Sequence, residues 1–246
     1  PAVVAVVGPT ATGKTALGVA LAQQFSGEVI SADSMQIYKG LDIGTAKVTP
    51  EETCGIPHHG VDILTPDKAF SVADFTAMAG RLEEEISARK KLPILVGGTG
   101  LYITSLLNGI GFTPEKVDPA IRQELQARLQ AEGSQALYAE LAAVDPGYAA
   151  KVHPNNTPRV IRALELYRAT GRKMSAEREA ARPAEKPYRS LCLCLTCRDR
   201  TLLYQRIDTR CDRMMQSGIL EEAKLVYDHR DTYRTAAQAI GYKEFF

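Results

Sequence analysis

The residues best suited to chemistry lie near the start of the chain, in GPTATGKT at positions 8–15. Gly8 permits a sharp exit from a strand, and Gly13 lets backbone N–H groups approach phosphate oxygens. Lys14 adds a positive charge, and Thr15 offers a hydroxyl group to Mg²⁺. An apolar stretch precedes this segment and a helical pattern follows it, which is the context that the motif requires. The spacing predicts that this segment, the phosphate loop, holds a phosphate group.

Two further polar residues follow apolar stretches that we expect to be strands. The stretch PILV ends in Gly97, Gly98, Thr99 and Gly100, so the acid that an NTPase needs for Mg²⁺ is missing there. An acid follows the other stretch instead, as Asp33 in ISADSMQIY. A P-loop nucleotide kinase stays open, because some such enzymes carry a similar acidic pair. Asp33 alone could also be a turn residue.

The elements that must position these residues alternate between strands and helices. Strands are expected at VVAVVG, in GEVISADSMQIY with an end at Ser31 to Asp33, in LPILVGGTG and in YRSLCLCLTC, and helical periods separate them. This alternation predicts an α/β fold with a parallel sheet, in which ligands bind at the carboxyl ends of the strands. We expect YRSLCLC to be buried, with its cysteines as small apolar residues. His58, His59 and Asp62 have too few companions for a metal site, which favours a loop or core role.

From about residue 114 the pattern becomes purely helical. Apolar stripes at Ile121, Leu125 and Leu129, and again around Leu164, indicate a small helical insertion. We expect the polar, proline-containing SAEREAARPAEKPYRS to be a mobile return linker. The chain is therefore divided into a core at 1–113 and 187–246 and an insertion at 114–186. RTLLYQRIDTRCDRMMQSGILEEAKLVYDH follows as a long helix with a break near Gly218.

Charge is unevenly distributed although the net charge is only +1. Between residues 151 and 189 there are ten basic and four acidic residues. Such a basic block suggests a polyanionic partner such as a nucleic acid. A solvated helix face is the alternative, and charge alone leaves both open.

Composition excludes some classes of protein. No run of about 18 apolar residues exists, so we expect no membrane partner. The first apolar stretch is too short for a signal peptide and has no basic leader, and the start at Pro1 suggests that the natural start lies upstream. Five irregularly spaced cysteines do not form a disulfide framework. We expect a reducing compartment, hence the cytoplasm or an organelle matrix.

Taken together, several segments resemble one family, the tRNA dimethylallyltransferases, also called tRNA isopentenyltransferases. The matching segments, in the family's order, are GPTATGKT, DSMQIYKGLDIGTAK, PHHGVDI, FSVADF, LVGGTGLY, HPNNTPRVIRALE, RIDTRCDRMMQSGILEE and IGYKE. The resemblance implies a P-loop NTPase-like parallel sheet with flanking helices, plus an inserted all-helical domain that clasps the tRNA anticodon stem-loop. It also implies transfer of a dimethylallyl group from dimethylallyl diphosphate to N6 of adenosine-37, with release of diphosphate.

The resemblance assigns roles to individual residues. Asp33 is the general base, Thr99 lies near the bridging oxygen and Arg210 contacts the diphosphate, with Arg206 as the rival. Thr15 is a ligand of the Mg²⁺ cofactor. The diphosphate is held by Gly8, Thr10, Ala11, Thr12, Gly13, Lys14 and Thr15. Contacts to tRNA are assigned to Asp33, Ser34, Met35, Gln36, Thr99, Pro158, Arg159, Val160, Ile161, Arg162, Gly241, Tyr242 and Lys243.

Two features bear on how far the resemblance extends. The family continues past IGYKE into a basic helical segment with further tRNA contacts, whereas this sequence stops at Phe246. A prenyltransferase for free adenine nucleotides is a second alternative, but a small acceptor needs no helical clasp. We expect a monomer.

Overall fold

The computed structural model describes residues 2–112, 118–181, 183, 185 and 187–246. Contacts divide the chain into two compact units, Pro1–Gly109 with Glu185–Phe246, and Ile110–Ala184. We call them the sheet unit and the helical unit and describe each by itself. The expected domain boundaries at 113/114 and 186/187 fall on residues outside this description.

The described elements alternate between strands and helices in the sheet unit and are entirely helical in the other. The strands are β1 (Ala2–Val7), β2 (Gly27–Ser31), β3 (His58–His59), β4 (Leu92–Val96) and β5 (Arg189–Cys194). The helices are α1 (Lys14–Gln24), α2 (Pro50–Thr53), α3 (Val72–Ala88), α4 (Gly100–Leu107), α5 (Pro119–Glu132), α6 (Ser134–Val144), α7 (Pro146–Ala149), α8 (Thr157–Thr170), α9 (Met174–Ala180), α10 (Arg200–Gln216) and α11 (Ile219–Asp228). Short 3₁₀ turns follow at Ala236–Gln238 and Lys243–Phe245.

The sheet is parallel and, among the described residues, has five strands in the order β3-β2-β4-β1-β5. Val4 of β1 lies opposite Ile94 of β4 on one side and Leu191 of β5 on the other. The predicted α/β class is confirmed. β1, β2 and β4 are adjacent, so the loops that follow them leave the same edge of the sheet, and Asp33 and Thr99 follow β2 and β4 there.

Packing of helices on this sheet explains some sequence choices. Gly18 of α1 is buried against Val96 of β4, where an added Cβ would lie 2.5 Å from a valine methyl carbon. α3 begins with a reciprocal cap: the Ser71 hydroxyl accepts from the Asp74 amide, and the Asp74 carboxylate accepts from the Ser71 amide. The small Gly18 lets α1 approach β4 closely, and the reciprocal cap determines where α3 begins.

Two expectations about the second half of the sequence are wrong. β5 is a strand, but it is mostly exposed, including Cys192 and Cys194, because it lies at an edge of the sheet and pairs only with β1. Part of the expected return linker is instead the helix α9. Its alanine and glutamate residues are strong helix formers, which outweighs the polarity on which the linker prediction was based.

The helical unit has its own apolar core. Leu125 of α5, Leu137 and Leu141 of α6, and Val160 and Leu164 of α8 are at most 1% exposed. These residues belong to the stripes that the sequence shows at helical spacing. No helix among the described residues is long and apolar enough to cross a membrane.

Candidate active site

The phosphate loop joins β1 to α1 at the carboxyl edge of the sheet. Gly8 has φ +144°, and a Cβ there would meet the carbonyl oxygen of Leu195 at 2.5 Å. Gly13 caps α1 in the left-handed region. Within the described residues, the backbone N–H groups of residues 10–13 have no acceptor. A row of unpaired donors ahead of a helix N-terminus favours an anion.

Lys14 adds positive charge to this row of donors. Its ammonium group donates to the carbonyl oxygen of Pro9 at 2.7 Å, and the Thr12 hydroxyl donates to the same oxygen at 2.8 Å. Burial and the nearby Arg210 lower the pKa of Lys14, whereas Asp33 raises it. These influences mean that Lys14, Arg210 and Asp33 lie close enough to share one electrostatic environment.

Asp33 and Thr99 lie in loops that are hydrogen-bonded to each other. An oxygen of the Asp33 carboxylate accepts from the backbone amides of Met35 at 2.9 Å and Gln36 at 3.4 Å. The Thr99 hydroxyl accepts from the Ser34 amide at 3.0 Å. Only one Asp33 oxygen takes part in these bonds, so the other can serve a ligand.

One cleft in the sheet unit, with a volume of about 1240 Å³, brings the sequence-predicted residues together. Those that line it are Gly8, Thr10, Ala11, Gly13, Lys14, Thr15, Asp33, Ser34, Met35, Gln36, Thr99, Arg206 and Arg210. Thr12 is not among the lining residues; its hydroxyl bonds within the loop instead. Residues separated by as many as 202 positions, from Gly8 to Arg210, therefore share one site.

Both candidate arginines, Arg206 and Arg210, line the cleft. Of these two arginines, only Arg210 is close enough to Lys14 to lower its pKa, so Arg210 lies nearer the phosphate loop. This geometry favours Arg210 over its rival as the arginine beside the loop.

Sequence reasoning missed other residues of the cleft. They are Pro9, Ala16, Gly44, Thr45, Ala46, Glu52, Val96, Gln205, Thr209, Arg213, Thr235 and Gln238. A usable signal exists for α10, because Gln205, Thr209 and Arg213 repeat at a spacing of four and so share a helix face with Arg206 and Arg210. No comparable periodicity marks the segment 235–240.

Near the end of the chain, Tyr242 was expected to contact tRNA, but its side chain is buried. Tyr242 is 0% exposed, and its hydroxyl donates to Glu222 at 2.7 Å, so its side chain has no surface for RNA. Glu222 also accepts from the amides of residues 42, 43 and 44 and thereby fixes the loop beside Tyr242. Gly241 has φ +100° and Lys243 is exposed. The Tyr242 side chain therefore has a structural role, whereas the resemblance assigned this residue a contact to tRNA.

The tRNA-contact residues assigned to the helical unit occupy the first turns of α8. Val160 and Ile161 are buried in that unit's core, so their side chains are not available to RNA. Arg162 donates to the buried Glu165 at 2.8 Å. Pro158 and Arg159 are exposed, and Arg159 forms no ion pair with a described residue.

Part of the basic block is paired with acids of the helical unit, some of which precede the block in the sequence. Arg168 pairs with Glu124 and Glu140, and Arg162 shares Glu165 with Arg122. In the sequence, residues 110–184 contain eleven basic and nine acidic residues. Two basic residues of the block, Arg182 and Lys186, lie outside the described residues. The helical unit is therefore much closer to neutral than the block alone suggested.

Comparison with known proteins gives two family matches. A model described as "IPP transferase" matches residues 36–246, and one described as "Isopentenyl transferase" matches residues 1–59. The tRNA dimethylallyltransferase of Bacillus subtilis is 50% identical over 244 residues, covering 99% of this chain and 77% of that protein. That of Halalkalibacterium halodurans is 46% identical over 243 residues, covering 99% and 77%.

Solved structures give the same result. The tRNA isopentenylpyrophosphate transferase from Bacillus halodurans matches with a TM-score of 0.67 at 46% identity, over 99% of this chain and 76% of that one. A eukaryotic dimethylallyltransferase acting on tRNA matches with a TM-score of 0.79 at 32% identity, over 98% and 60%. The cleft, the family matches and these likenesses agree: the chain belongs to the tRNA dimethylallyltransferase family.

Proposed function

We propose that this chain transfers the dimethylallyl group of dimethylallyl diphosphate to N6 of adenosine-37 in tRNA and releases diphosphate. The observation that supports this most is the shared cleft of the phosphate loop and Asp33. An anion cradle beside a half-buried carboxylate suits a reaction in which a diphosphate leaves and an amine loses a proton.

The phosphate loop and α10 serve the leaving group. The N–H groups of residues 10–13 have no acceptor among the described residues, and Lys14 and Arg210 line the same cleft. Negative charge grows on the bridging oxygen as its bond to the dimethylallyl carbon breaks. Positive groups fixed in advance stabilise that charge, and the Thr99 hydroxyl adds a donor near the bridging oxygen.

Asp33 serves the acceptor. Two backbone amides hold one oxygen of its carboxylate, which orients the other toward the cleft. N6 forms a bond to the allylic carbon, the carbon–oxygen bond breaks with its electron pair staying on diphosphate, and a proton passes from N6 to Asp33. Adenosine-37 must leave the stacked loop to reach this carboxylate.

The residues of the cleft fit a magnesium ion. Thr15 follows Lys14 in α1 and lines the cleft with the carboxylates of Asp33 and Glu52, and such hard oxygen donors suit Mg²⁺. Among the described residues no cluster of three His, Cys, Asp or Glu side chains could hold a metal. We infer that Thr15 would hold Mg²⁺ when the ion is bound. When bound, the ion neutralises negative charge on the diphosphate.

The remaining assignments also belong to this proposal. The sheet unit is the P-loop NTPase-like catalytic core, and the helical unit is the insertion that clasps the anticodon stem-loop. Arg159 and the exposed Pro158 at the start of α8 support the second assignment, since both are open to an RNA partner. The chain acts as a monomer.

Labelled dimethylallyl diphosphate tests the reaction directly. The chain is incubated with Mg²⁺ and either an anticodon stem-loop RNA or its adenosine-37 to guanosine variant. Label should appear only on the adenosine RNA. Asp33→Asn should reduce transfer about 10²-fold to 10⁴-fold, because the amide still accepts from the loop N–H groups but cannot take a proton. Thermal unfolding of this variant checks that the loop remains folded.

Parallel reactions separate the alternatives. Label transferred to AMP in preference to the RNA would support an adenylate prenyltransferase. ATP hydrolysis or phosphate transfer without RNA, and no labelled RNA, would support a nucleotide kinase and contradict the proposal.

A further inference from the structure

Three arginines lie on one face of α10 and line the cleft: Arg206, Arg210 and Arg213. Their spacings of four and three residues place them in a row along the helix. None of the three forms an ion pair with a residue that the structure describes. Unpaired guanidinium groups in a concave site are available to an anionic ligand.

Arg210 and Arg213 of this row differ in their surroundings. Arg210 contributes to the lowered pKa of Lys14, and neither Arg206 nor Arg213 is a cause of that shift. Arg213 lies about 4.5 Å farther along the helix axis, at 1.5 Å per residue. The next residue, Met214, packs in the apolar cluster that contains Met35 and Ala239. Arg213 is therefore in the last turn of α10, next to a residue that packs with Met35 and Ala239, and it is not among the groups that shift the pKa of Lys14.

The cleft contains a further cation besides those near the phosphate loop. Lys14 and Arg210 already accompany the phosphate loop, and Arg213 adds a cation beyond them. An extruded nucleotide brings a phosphate on each side of its sugar, so anions must lie near the acceptor wall. Resting on the proposed function, we propose that Arg213 binds a phosphate of the RNA backbone next to the reacting adenosine, whereas Arg210 serves the diphosphate.

Neutral substitutions at three arginines test this division. Arg213→Gln should raise the KM and Kd for the stem-loop RNA about tenfold, lower the salt slope of RNA binding by about one, and leave the KM for dimethylallyl diphosphate unchanged. Arg210→Gln should show the opposite split. Arg198→Gln is the matched control, because Arg198 precedes α10 and is exposed outside the cleft.

A modified RNA identifies the contact itself. Replacing the phosphate on either side of adenosine-37 with an uncharged methylphosphonate should weaken binding to the unsubstituted protein at one of the two positions. Arg213→Gln should bind that RNA no more weakly than the natural one, because the contact is already lost. An RNA affinity unchanged by Arg213→Gln, or a change in diphosphate KM alone, would overturn the inference. Absence of transfer by the unsubstituted protein would instead contradict the proposed function, while RNA binding still reports on Arg213.

Discussion

Arginines in the cleft and arginines in the helical unit have opposite surroundings. Arg206, Arg210 and Arg213 face the cleft without an ion pair to any described residue. In the helical unit, Arg128 and Arg168 both pair with Glu140, and α8 is thereby tied to α5 and α6. The same side chain is thus unpaired in the cleft, where we propose that it binds a ligand, and connects helices in the helical unit.

Among the substitutions predicted below, loss of an arginine in the cleft should have the largest effect. Arg210→Gln should lower kcat/KM for dimethyl-allyl transfer about 10²-fold, since a preorganised cation near the leaving oxygen is lost. The melting temperature should stay the same, because Arg210 gives up no ion pair. Steady-state kinetics and thermal unfolding measure the two quantities. A lower melting temperature with unchanged kinetics would mean that Arg210 is a structural residue.

A buried carboxylate in the core of the sheet unit has no cationic partner among the described residues, in contrast to the paired acids of the helical unit. Glu83 of α3 is 0% exposed, and its oxygens make no close hydrogen bond to the described residues. The Tyr188 hydroxyl is near enough to offset part of the effect of burial on the Glu83 pKa. Burial raises its pKa to about 7 from 4.5. Below about pH 4.5 both folded and unfolded chains are protonated there. As pH rises from 4.5 to 7 the unfolded chain ionises first, so the folded state loses stability.

Glu83→Gln should remove this penalty. The unfolding free energy of the Glu83→Gln variant should exceed that of the unsubstituted protein by an amount that grows between pH 4.5 and 7. Above pH 7 this difference should stay constant, at about 3 kcal/mol or less. Glu84→Gln, at an exposed neighbour, is the control and should show no such growth. Denaturant unfolding at pH 5 and pH 8 measures both. An equal effect of Glu83→Gln at the two pH values would contradict the assignment.

The sequence predicted much of the sheet unit and less of the helical unit, for a physical reason. Strand ends, glycines and Asp33 are local signals, and a parallel sheet gathers its strand ends at one edge whatever else the chain does. Pairing between Arg168 and Glu124 depends on how helices 44 residues apart in sequence pack, which no local pattern contains. The same limit hid the burial of Tyr242 and the exposure of β5.

In the helical unit, removing a paired acid should lower the stability of the unit. Glu165 is buried and accepts from Arg122 at 3.0 Å and from Arg162 at 2.8 Å. Glu165→Ala should destabilise the helical unit by about 1–3 kcal/mol, because the α5–α8 link is lost. Glu132→Ala should change little, since Arg128 keeps Glu140. Hydrogen exchange in α5 and α8 reports the loss; equal exchange in both variants would contradict it.

The smallest effect concerns two arginines near the start of α8 that the sequence treats alike. Arg159 is exposed and unpaired, whereas Arg162 is held by Glu165. Arg159→Ala should weaken stem-loop binding about threefold and flatten its salt dependence, as expected for one lost phosphate contact. Arg162→Ala should flatten it less, because its guanidinium is already neutralised by a carboxylate. Binding titrations between low and moderate salt compare the two slopes. A larger change for Arg162 would mean that RNA displaces Glu165 from its ion pair, and the distinction between paired and unpaired arginines would then fail for this unit.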